Sequence, residues 1–165
     1  MIVVADSSPL IVLAKLSCFD LLEKLYSRLY ISAEVYHEVV VAGAGLPGSQ
    51  EIEQADWIEV AIVRDPSSLA LRQQKSALGL GELSSIVLAR EIGADLVLLV
   101  DHSARKLARA EGFELRGSIG SLEIAYRQGY LGDLRAAFQR LIENDVYVDR
   151  QLLNHRLQLL GLESL

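Results

Sequence analysis

The chain has 165 residues, 51% of them hydrophobic, and a formal net charge of −6 at pH 7. A chain of this length can bury the core of a single domain, and its acidic balance argues against a broadly basic nucleic-acid binder while still allowing a local basic patch. No apolar run approaches the ~20 residues that span a bilayer, and the first residues lack the basic region of a signal peptide. Cys18 is the single cysteine, so we expect a cytoplasmic protein without disulfides or a membrane segment.

Strands and helices alternate along the first half of the chain. Ser8 is the expected N-cap of the first helix, with Pro9 at its first position, and Ser17 opens a capping-box-like start to the second. Ser32 is expected to cap the third helix, and the glycine-rich residues 43–48 predict a loop. The predicted strands are residues 2–5, 29–31 and 57–63. The first predicted helix begins at residue 8, the second ends near residue 27, and two further helices are predicted over residues 33–42 and 50–55.

Glycines mark the element boundaries in the second half. A helix is predicted over residues 66–78, and Gly79 and Gly81 interrupt it. Glu82 then begins a helix that ends at the C-cap signal Gly93. The remaining predicted elements are strands over residues 96–100 and 113–116 and helices over residues 103–111, 119–128, 133–143 and 150–160.

The two strongest strands are apolar throughout rather than alternating. This pattern is typical of a parallel sheet that is covered on both faces. Because strands alternate with helices, the fold class is α/β. No linker divides the chain, so we expect residues 1–165 to form one domain, with residues 145–165 as a C-terminal helical extension.

Four carboxylates stand at positions where a ligand site is expected. Asp6 and Asp101 directly follow buried strands, and ligands of open α/β sheets bind at the carboxyl ends of strands. Glu82 lies in the first turn of its helix, and Glu38 lies on the helix after the second strand. Each could instead be a cap, a helix-dipole partner or a solvated side chain. Together they offer hard oxygen ligands for Mg²⁺ or Mn²⁺, which is the pattern of metal-assisted phosphoryl chemistry.

At these residues the sequence resembles the PIN-domain family, and within it a group of PIN-like nucleases related to VapC-like toxin ribonucleases. The matching segments are residues 4–11, residues 32–39, Leu78-Gly79-Leu80-Gly81-Glu82, Leu98-Leu99-Val100-Asp101 with Ala104-Arg105, and Gly117-Ser118-Ile119-Gly120-Ser121-Leu122. The resemblance implies a three-layer α/β/α fold with a central parallel sheet. It also implies a metal-dependent endoribonuclease that uses Mg²⁺ or Mn²⁺, and an antitoxin protein as a partner.

The resemblance assigns the site acids by position as Asp6, Glu38, Glu82 and Asp101. Three of these, Asp6, Glu82 and Asp101, would hold the ion, while Glu38 would complete the shell or orient the attacking water. Ser7 would place a hydroxyl beside the metal. Members of the family often have two adjacent acids after the fourth strand, and this chain has only Asp101 there. The absence of the second acid would affect the binding of a second metal ion and the level of activity.

Basic residues follow the last of these acids. Arg105 and Arg109 are four residues apart on the predicted helix after Asp101, with Lys106 beside them. They could engage RNA phosphates, or they could form an ordinary basic helix surface.

Three other functions compete with a ribonuclease. The fold could serve as a binding module for RNA or protein with a weakened catalytic site. Residues 39–48 match a dinucleotide-binding fingerprint, G-x-G-x-x-G after an apolar run. A phosphate-accepting receiver domain would also place acids at strand ends, but it needs a lysine that is not found in the expected context.

The high apolar fraction also predicts self-association, with a homodimer as the expected assembly. The candidate surface is a set of C-terminal leucines: Leu152, Leu153, Leu157, Leu159 and Leu160.

Overall fold

Five short parallel strands form the centre of the molecule in the computed structural model, which describes residues 1–165. The strands are β1 Val3–Ala5, β2 Leu29–Ser32, β3 Ile58–Ala61, β4 Leu96–Leu98 and β5 Leu115–Arg116. They are arranged in the order β3-β2-β1-β4-β5, and every pair is parallel. The predicted α/β class and the central parallel sheet are therefore confirmed.

Ten α-helices surround the sheet. They are α1 Ser7–Lys15, α2 Asp20–Tyr26, α3 Ala33–Tyr36, α4 Ser49–Gln54, α5 Pro66–Lys75, α6 Leu80–Ile92, α7 His102–Ala110, α8 Ser118–Arg127, α9 Leu134–Glu143 and α10 Arg150–Leu159. Helix α3 continues directly into a π-helical segment, His37–Ala42. None of the helices has the length and apolar character needed to cross a membrane.

The hydrophobic core lies on both faces of the sheet. Val3 and Ala5 of β1 belong to a cluster packed by α1, α2 and α8–α10, whereas Val4 belongs to a second cluster packed mainly by α6 and α7. This alternation follows from strand geometry, in which successive side chains point to opposite faces. Because both faces are covered, all three residues of β1 are apolar and buried. The three-layer arrangement is as predicted.

β1 is the central strand and fixes the geometry of one end of the sheet. Val4 pairs with Tyr30 of β2 on one side and with Val97 of β4 on the other. The residues that follow the five strands therefore meet along a common boundary, which we call the carboxyl edge. Its members are Asp6, Ala33, Ile62, Leu99 and Gly117.

Two predicted helix caps are wrong. Asp6, not Ser8, occupies the N-cap position of α1, because the chain turns into the helix immediately after β1. Pro9 consequently lies in the third position, where its missing N–H is still harmless. Ser17 does not cap α2 either, because it adopts a left-handed conformation (φ 56°) after α1, and Phe19 precedes α2.

Other boundaries agree closely with the sequence pattern. The Ser32 hydroxyl caps α3 by accepting a hydrogen bond from the Val35 N–H at 3.0 Å, as predicted. Gly93 ends α6 in the left-handed conformation that favours glycine (φ 67°).

One predicted boundary differs from the structure. Gly79 and Gly81 begin α6 rather than interrupt a helix, since α6 starts at Leu80 and α5 has already ended at Lys75.

Two further expectations are corrected by the fold. Residues 43–48 follow a π-helical segment rather than a strand, so they cannot form the strand–turn–helix of a dinucleotide site. Of the C-terminal leucines, Leu153 and Leu157 are fully buried in the core and cannot form an interface, while Leu152 and Leu159 are exposed.

Candidate active site

Asp6 is a buried carboxylate at the carboxyl edge. Only 1% of its surface is exposed, and its backbone N–H donates to the Leu98 carbonyl at 3.0 Å, which continues the pairing of β1 with β4. Oδ1 accepts a long hydrogen bond from the Ser7 hydroxyl at 3.5 Å. Oδ2 is buried and has no hydrogen-bond partner. An unpaired buried carboxylate oxygen is costly unless a proton or a cation occupies the space beside it.

Glycines at the start of α6 bring the carboxylates together. A Cβ atom on Gly81 would lie 2.6 Å from Glu38 Oε2 and 3.2 Å from Asp6 Oδ1, so both oxygens crowd against the bare backbone. A Cβ atom on Gly79 would lie 2.6 Å from Glu82 Oε2. Carboxylates from three separate elements thus lie around the first turn of α6, where the positive end of the helix dipole favours negative charge.

Buried serines hold the two helices that carry these acids. The Ser32 and Ser84 hydroxyls are 2.7 Å apart, and the Ser84 hydroxyl also donates to the Gly81 carbonyl at 3.0 Å. Each hydroxyl has one hydrogen, so Ser32 must donate to Ser84 while accepting from the Val35 N–H. Ser85 donates a further bond to the Gly81 carbonyl at 2.8 Å. The chain of hydrogen bonds fixes the start of α3 against the start of α6.

Electrostatics at the cluster favour a cation or a proton. The pKa of Asp6 is raised to about 7, mainly because the carboxyl is buried and further because Glu82 and Glu38 are close and negatively charged. Hydrogen bonds from the Ser7 backbone and hydroxyl act in the opposite direction. The acids therefore repel one another when all are ionised and no cation is present.

Asp101 has a different local role from the other predicted site acids. It is exposed, and it caps α7 by accepting a hydrogen bond from the Ala104 N–H at 2.8 Å. Its charge is not among those that raise the pKa of Asp6. Asp101 comes two residues after Leu99 of the carboxyl edge and three residues after the Leu98 that pairs with Ala5. The structure brings Asp6, Glu38 and Glu82 near one another and shows no contact between Asp101 and these three acids.

The donor set fits a hard divalent cation. All the candidate ligands are carboxylate oxygens, and Asp6 Oδ2 is an orphaned buried acceptor. In the present side-chain positions, no three histidine, cysteine or carboxylate groups are close enough to hold one ion. Mg²⁺ is nevertheless bound in many proteins by one or two carboxylates, with water and substrate phosphate completing its octahedron. Asp6, with the nearby carboxylates of Glu82 and Glu38, offers such a set of one or two ligands.

The predicted substrate-binding residues are Ser7, beside Asp6, and three basic residues of α7, the helix that Asp101 caps. Ser7 is buried against Asp6, so its hydroxyl is beside the candidate ligand. Arg105 is half-buried and donates from Nη1 to the Leu99 carbonyl at 2.8 Å. Burial, together with the neighbouring charge of Arg109, lowers the pKa of Arg105. Lys106 and Arg109 are exposed on the same helix, α7.

Sequence reasoning missed the residues that build the space for the acids. The sequence pattern presents Gly81 as a helix interruption, whereas in the structure its lack of a side chain admits Glu38 and Asp6. Ser84 was not singled out, because a serine inside a largely apolar helix carries no signal without knowledge of its partner Ser32. The run Gly79-Leu80-Gly81 was the available clue, since glycine in a helix permits a close approach.

An all-parallel α/β/α sheet with clustered carboxylates at its carboxyl edge defines a class of proteins that bind ligands at that edge. A family model described as DUF3368, PIN domain, matches residues 2–162. The chain therefore belongs to the PIN-domain family, whose members are generally nucleases and typically use divalent metals. A comparison with curated proteins gives no match. The resemblance to the PIN family is confirmed, and the narrower likeness to VapC-like toxins stays a prediction.

Proposed function

We propose that this protein is an endoribonuclease that hydrolyses RNA phosphodiesters with Mg²⁺ or Mn²⁺. The observation that carries the proposal is the buried Asp6, whose Oδ2 has no hydrogen-bond partner and whose Oδ1 lies beside Gly81 together with Glu38 Oε2. A purely structural acid would have its oxygens satisfied by the protein. Membership of a generally nucleolytic family makes a phosphodiester the expected substrate class.

Each site residue has a defined task in this proposal. When bound, the metal ion lowers the pKa of a water molecule and offsets negative charge that develops on the phosphate. Asp6 and Glu82 supply anionic oxygens from the interior of the cluster, and Asp101 supplies one from its margin. Glu38 accepts a hydrogen bond from the attacking water and so orients it. Ser7 holds Oδ1 of Asp6 in place.

Basic side chains on α7 hold the substrate in this proposal. Arg105 is anchored by its bond to the Leu99 carbonyl, and Arg109 and Lys106 are free to contact phosphates further along the strand. Such contacts position the RNA and carry no sequence information by themselves. Target selection therefore depends on other surfaces of the protein.

The decisive experiment compares the wild type with Asp6→Asn on a labelled single-stranded RNA in the presence of Mn²⁺. We expect cleavage by the wild type, no cleavage after EDTA treatment, and a loss of at least a hundredfold in the variant. Asn has the shape of Asp but lacks the charge that a hard cation requires. Cleavage that persists in EDTA, or equal cleavage by the variant, would contradict the proposal and indicate a contaminating nuclease.

A second candidate is a PIN-like binding module whose catalytic site is weakened. Two observations favour it: Asp101 is engaged as a helix cap, and no three acids are close enough to hold one ion in the present side-chain positions. Calorimetric titration with Mn²⁺ separates the two functions. A nuclease must bind the ion through Asp6 and lose that binding in Asp6→Asn, whereas a binding module retains RNA affinity without any response to the ion.

We further propose that the protein acts in the cytoplasm as the toxin of a toxin–antitoxin pair and forms a homodimer. The exposed Leu152 and Leu159 on α10 and the exposed Val41 and Leu46 before α4 are apolar surfaces that a second copy or an antitoxin could cover. Light scattering at micromolar concentration tests the dimer. A monomer mass for the wild type would contradict it.

A further inference from the structure

A cavity of about 710 Å³ runs along α8, on the β5 side of the carboxyl edge. One wall is the α8 face that carries Gly120, Glu123 and Arg127, and the opposite wall comes from α10 and the segment before it. Val100 and Arg105 line the end next to Asp101. Since only β4 separates β5 from β1, the cavity begins about 10 Å, or two strand spacings, from the strand that leads to Asp6.

The lining of the cavity carries more positive than negative charge. Its two carboxylates are already engaged: Glu123 accepts two hydrogen bonds from Arg156, and Asp149 caps α10 by accepting from the Gln151 N–H at 2.9 Å. Three other arginines in the lining form no ion pair with any carboxylate, and these are Arg105, Arg116 and Arg127.

Glycines leave room for the guanidinium of one of these arginines and for the aliphatic stem of another. A Cβ atom on Gly117 would lie 3.2 Å from Arg105 Nη1, and one on Gly120 would lie 3.1 Å from Arg116 Cγ. Arg116 is further fixed by Tyr26, because its Nη1 donates to the hydroxyl at 3.1 Å and its guanidinium carbon lies 5.7 Å from the ring centroid. Arg116 is therefore a positioned cation without a counter-charge.

The residues that line the cavity also include a serine and a tyrosine. Ser118, the first residue of α8, lines the cavity, and its buried hydroxyl has no hydrogen-bond partner. A helix start, a hydroxyl and guanidinium groups are together the donors that bind phosphate. Tyr147 also lines the cavity and is fully exposed, which leaves its ring free for a base to stack on.

We propose that this cavity binds a nucleotide of the RNA strand next to the cleaved bond, with its phosphate near Arg116 and Ser118 and its base on Tyr147. The inference rests on the proposed ribonuclease function. RNA fits better than an acidic peptide, because the cavity continues from the edge that carries the acids and combines cations with an exposed aromatic ring. Such a site would hold the strand in register for cleavage.

The test measures binding separately from cleavage. A fluorescent single-stranded RNA of about eight nucleotides is titrated with the full chain in EDTA, and anisotropy reports the affinity of the wild type, Tyr147→Ala, Arg116→Gln and the control Arg28→Gln. Arg28 is an exposed arginine at the opposite end of the sheet, where it precedes β2. Tyr147 is fully exposed, so its removal does not threaten folding.

We expect Tyr147→Ala to weaken binding at least about fivefold, the smallest usual effect of losing one stacked base. Arg116→Gln should weaken binding and reduce the salt dependence by about 0.7 in the slope of log K against log[salt], the value for one phosphate contact to a single strand. Arg28→Gln should bind as the wild type does. Inorganic phosphate alone should compete poorly, because it cannot stack on Tyr147.

Several results would overturn the inference. If Tyr147→Ala and Arg116→Gln both bound RNA as tightly as the wild type, the nucleotide site would be excluded. If Asp6→Asn still abolished cleavage in that case, the proposed ribonuclease function would stand without the nucleotide site. Complete displacement of the RNA by inorganic phosphate would indicate a site for a free anion. Binding of a polyglutamate peptide instead of RNA, weakened by Tyr147→Ala, would assign the cavity to a protein partner. Absence of both RNA binding and cleavage would remove the proposed function as well.

Discussion

The hydroxyl oxygens of Ser32 and Ser84 lie 2.7 Å apart and join the start of α3 to the start of α6. Through this bond, the helix that leads to Glu38 and the helix that begins beside Gly81 are held in one relative position. Both serines are fully buried, so water cannot replace either partner. The geometry of the acid cluster therefore depends on two uncharged side chains that contact no substrate.

Ser84→Ala should destabilise the protein by about 1–3 kcal/mol, because the buried Ser32 hydroxyl loses its acceptor. Catalysis should fall as well, since α3 and α6 are no longer tied. Ser85→Ala is the matched control: it removes one bond to the Gly81 carbonyl and leaves the pair intact. Urea unfolding and RNA cleavage measure the two effects. Equal losses in both variants would contradict a special role for the Ser32–Ser84 bond.

Gly81→Ala should abolish RNA cleavage while leaving the melting temperature unchanged or slightly higher. Alanine is favoured over glycine inside a helix by about 1 kcal/mol, but its Cβ would lie 2.6 Å from Glu38 Oε2 and must displace that carboxylate. The displaced atom is the end of a flexible side chain, so the fold can adapt. Gly132→Ala, where nothing lies within 4 Å, is the control and should retain activity. An active Gly81→Ala protein would count against the acid cluster as the catalytic centre.

Asp101→Asn distinguishes a helix cap from a catalytic acid. Asn caps helices about as well as Asp, so the bond from the Ala104 N–H and the stability of α7 should persist. If Asp101 also supplies charge to the metal, cleavage should drop at least tenfold with no change in melting temperature. Asp101→Ala should lose about 1 kcal/mol in addition. Full activity in Asp101→Asn would reduce its role to capping.

The stability of the metal-free protein should fall as pH rises from about 4 to 7. In this window the folded state keeps a proton on Asp6, whose pKa is about 7, while the unfolded state, with the ordinary value of 3.8, has released it. The difference approaches about 4 kcal/mol above pH 7 and disappears below pH 4. Asp6→Asn removes this dependence, so it should be more stable than the wild type at pH 8 in EDTA and similar near pH 4.

Chemical unfolding across pH measures this effect, with Asp133→Asn as a control, because Asp133 is an exposed cap of α9 and is not among the charges that act on Asp6. Adding Mn²⁺ at pH 8 should raise the melting temperature of the wild type by mass action and that of Asp6→Asn much less. Parallel pH profiles for the wild type and Asp6→Asn would show that the Asp6 carboxyl is not perturbed.

Arg156→Leu should destabilise the protein by about 3 kcal/mol, because Glu123 would remain buried on α8 without a counter-charge. Arg150→Leu, on the exposed first turn of the same helix, should change stability by less than about 0.5 kcal/mol. Adding Glu123→Gln to Arg156→Leu should recover part of the loss. Urea unfolding is the measurement, and no recovery in the double variant would mean that packing, rather than charge, dominates.

The sequence predicted the elements whose signals are local. The apolar runs around Val4 and Val97 gave the buried strands, Ser32 gave a helix cap, and Gly93 gave a helix end. The π-helical segment His37–Ala42 was not predicted, because its apolar residues fit an α-helix equally well.

The candidate site was predictable only in part, for a related reason. Asp6 and Glu82 could be placed from strand ends and glycine turns, but the engagement of Asp101 by Ala104 could not be distinguished from metal binding. The residues that line the cavity along α8 are as far apart in the sequence as Arg105 and Arg156, so no short stretch of sequence reveals the cavity. Sites formed by distant segments become visible only when the topology brings those segments together.

The pairing of β1 with β4 determines when the central sheet can be completed while the chain is being synthesised. The N–H of Asp6 bonds to Leu98, a residue made 92 positions later, so the strand at the centre of the sheet lacks one neighbour until that segment has left the ribosome. Long-range parallel pairing of this kind is also slow to form. A nascent chain therefore carries Asp6, Glu38 and Glu82 well before it holds them in one place, and nuclease activity would be withheld until translation of the chain is more than half complete.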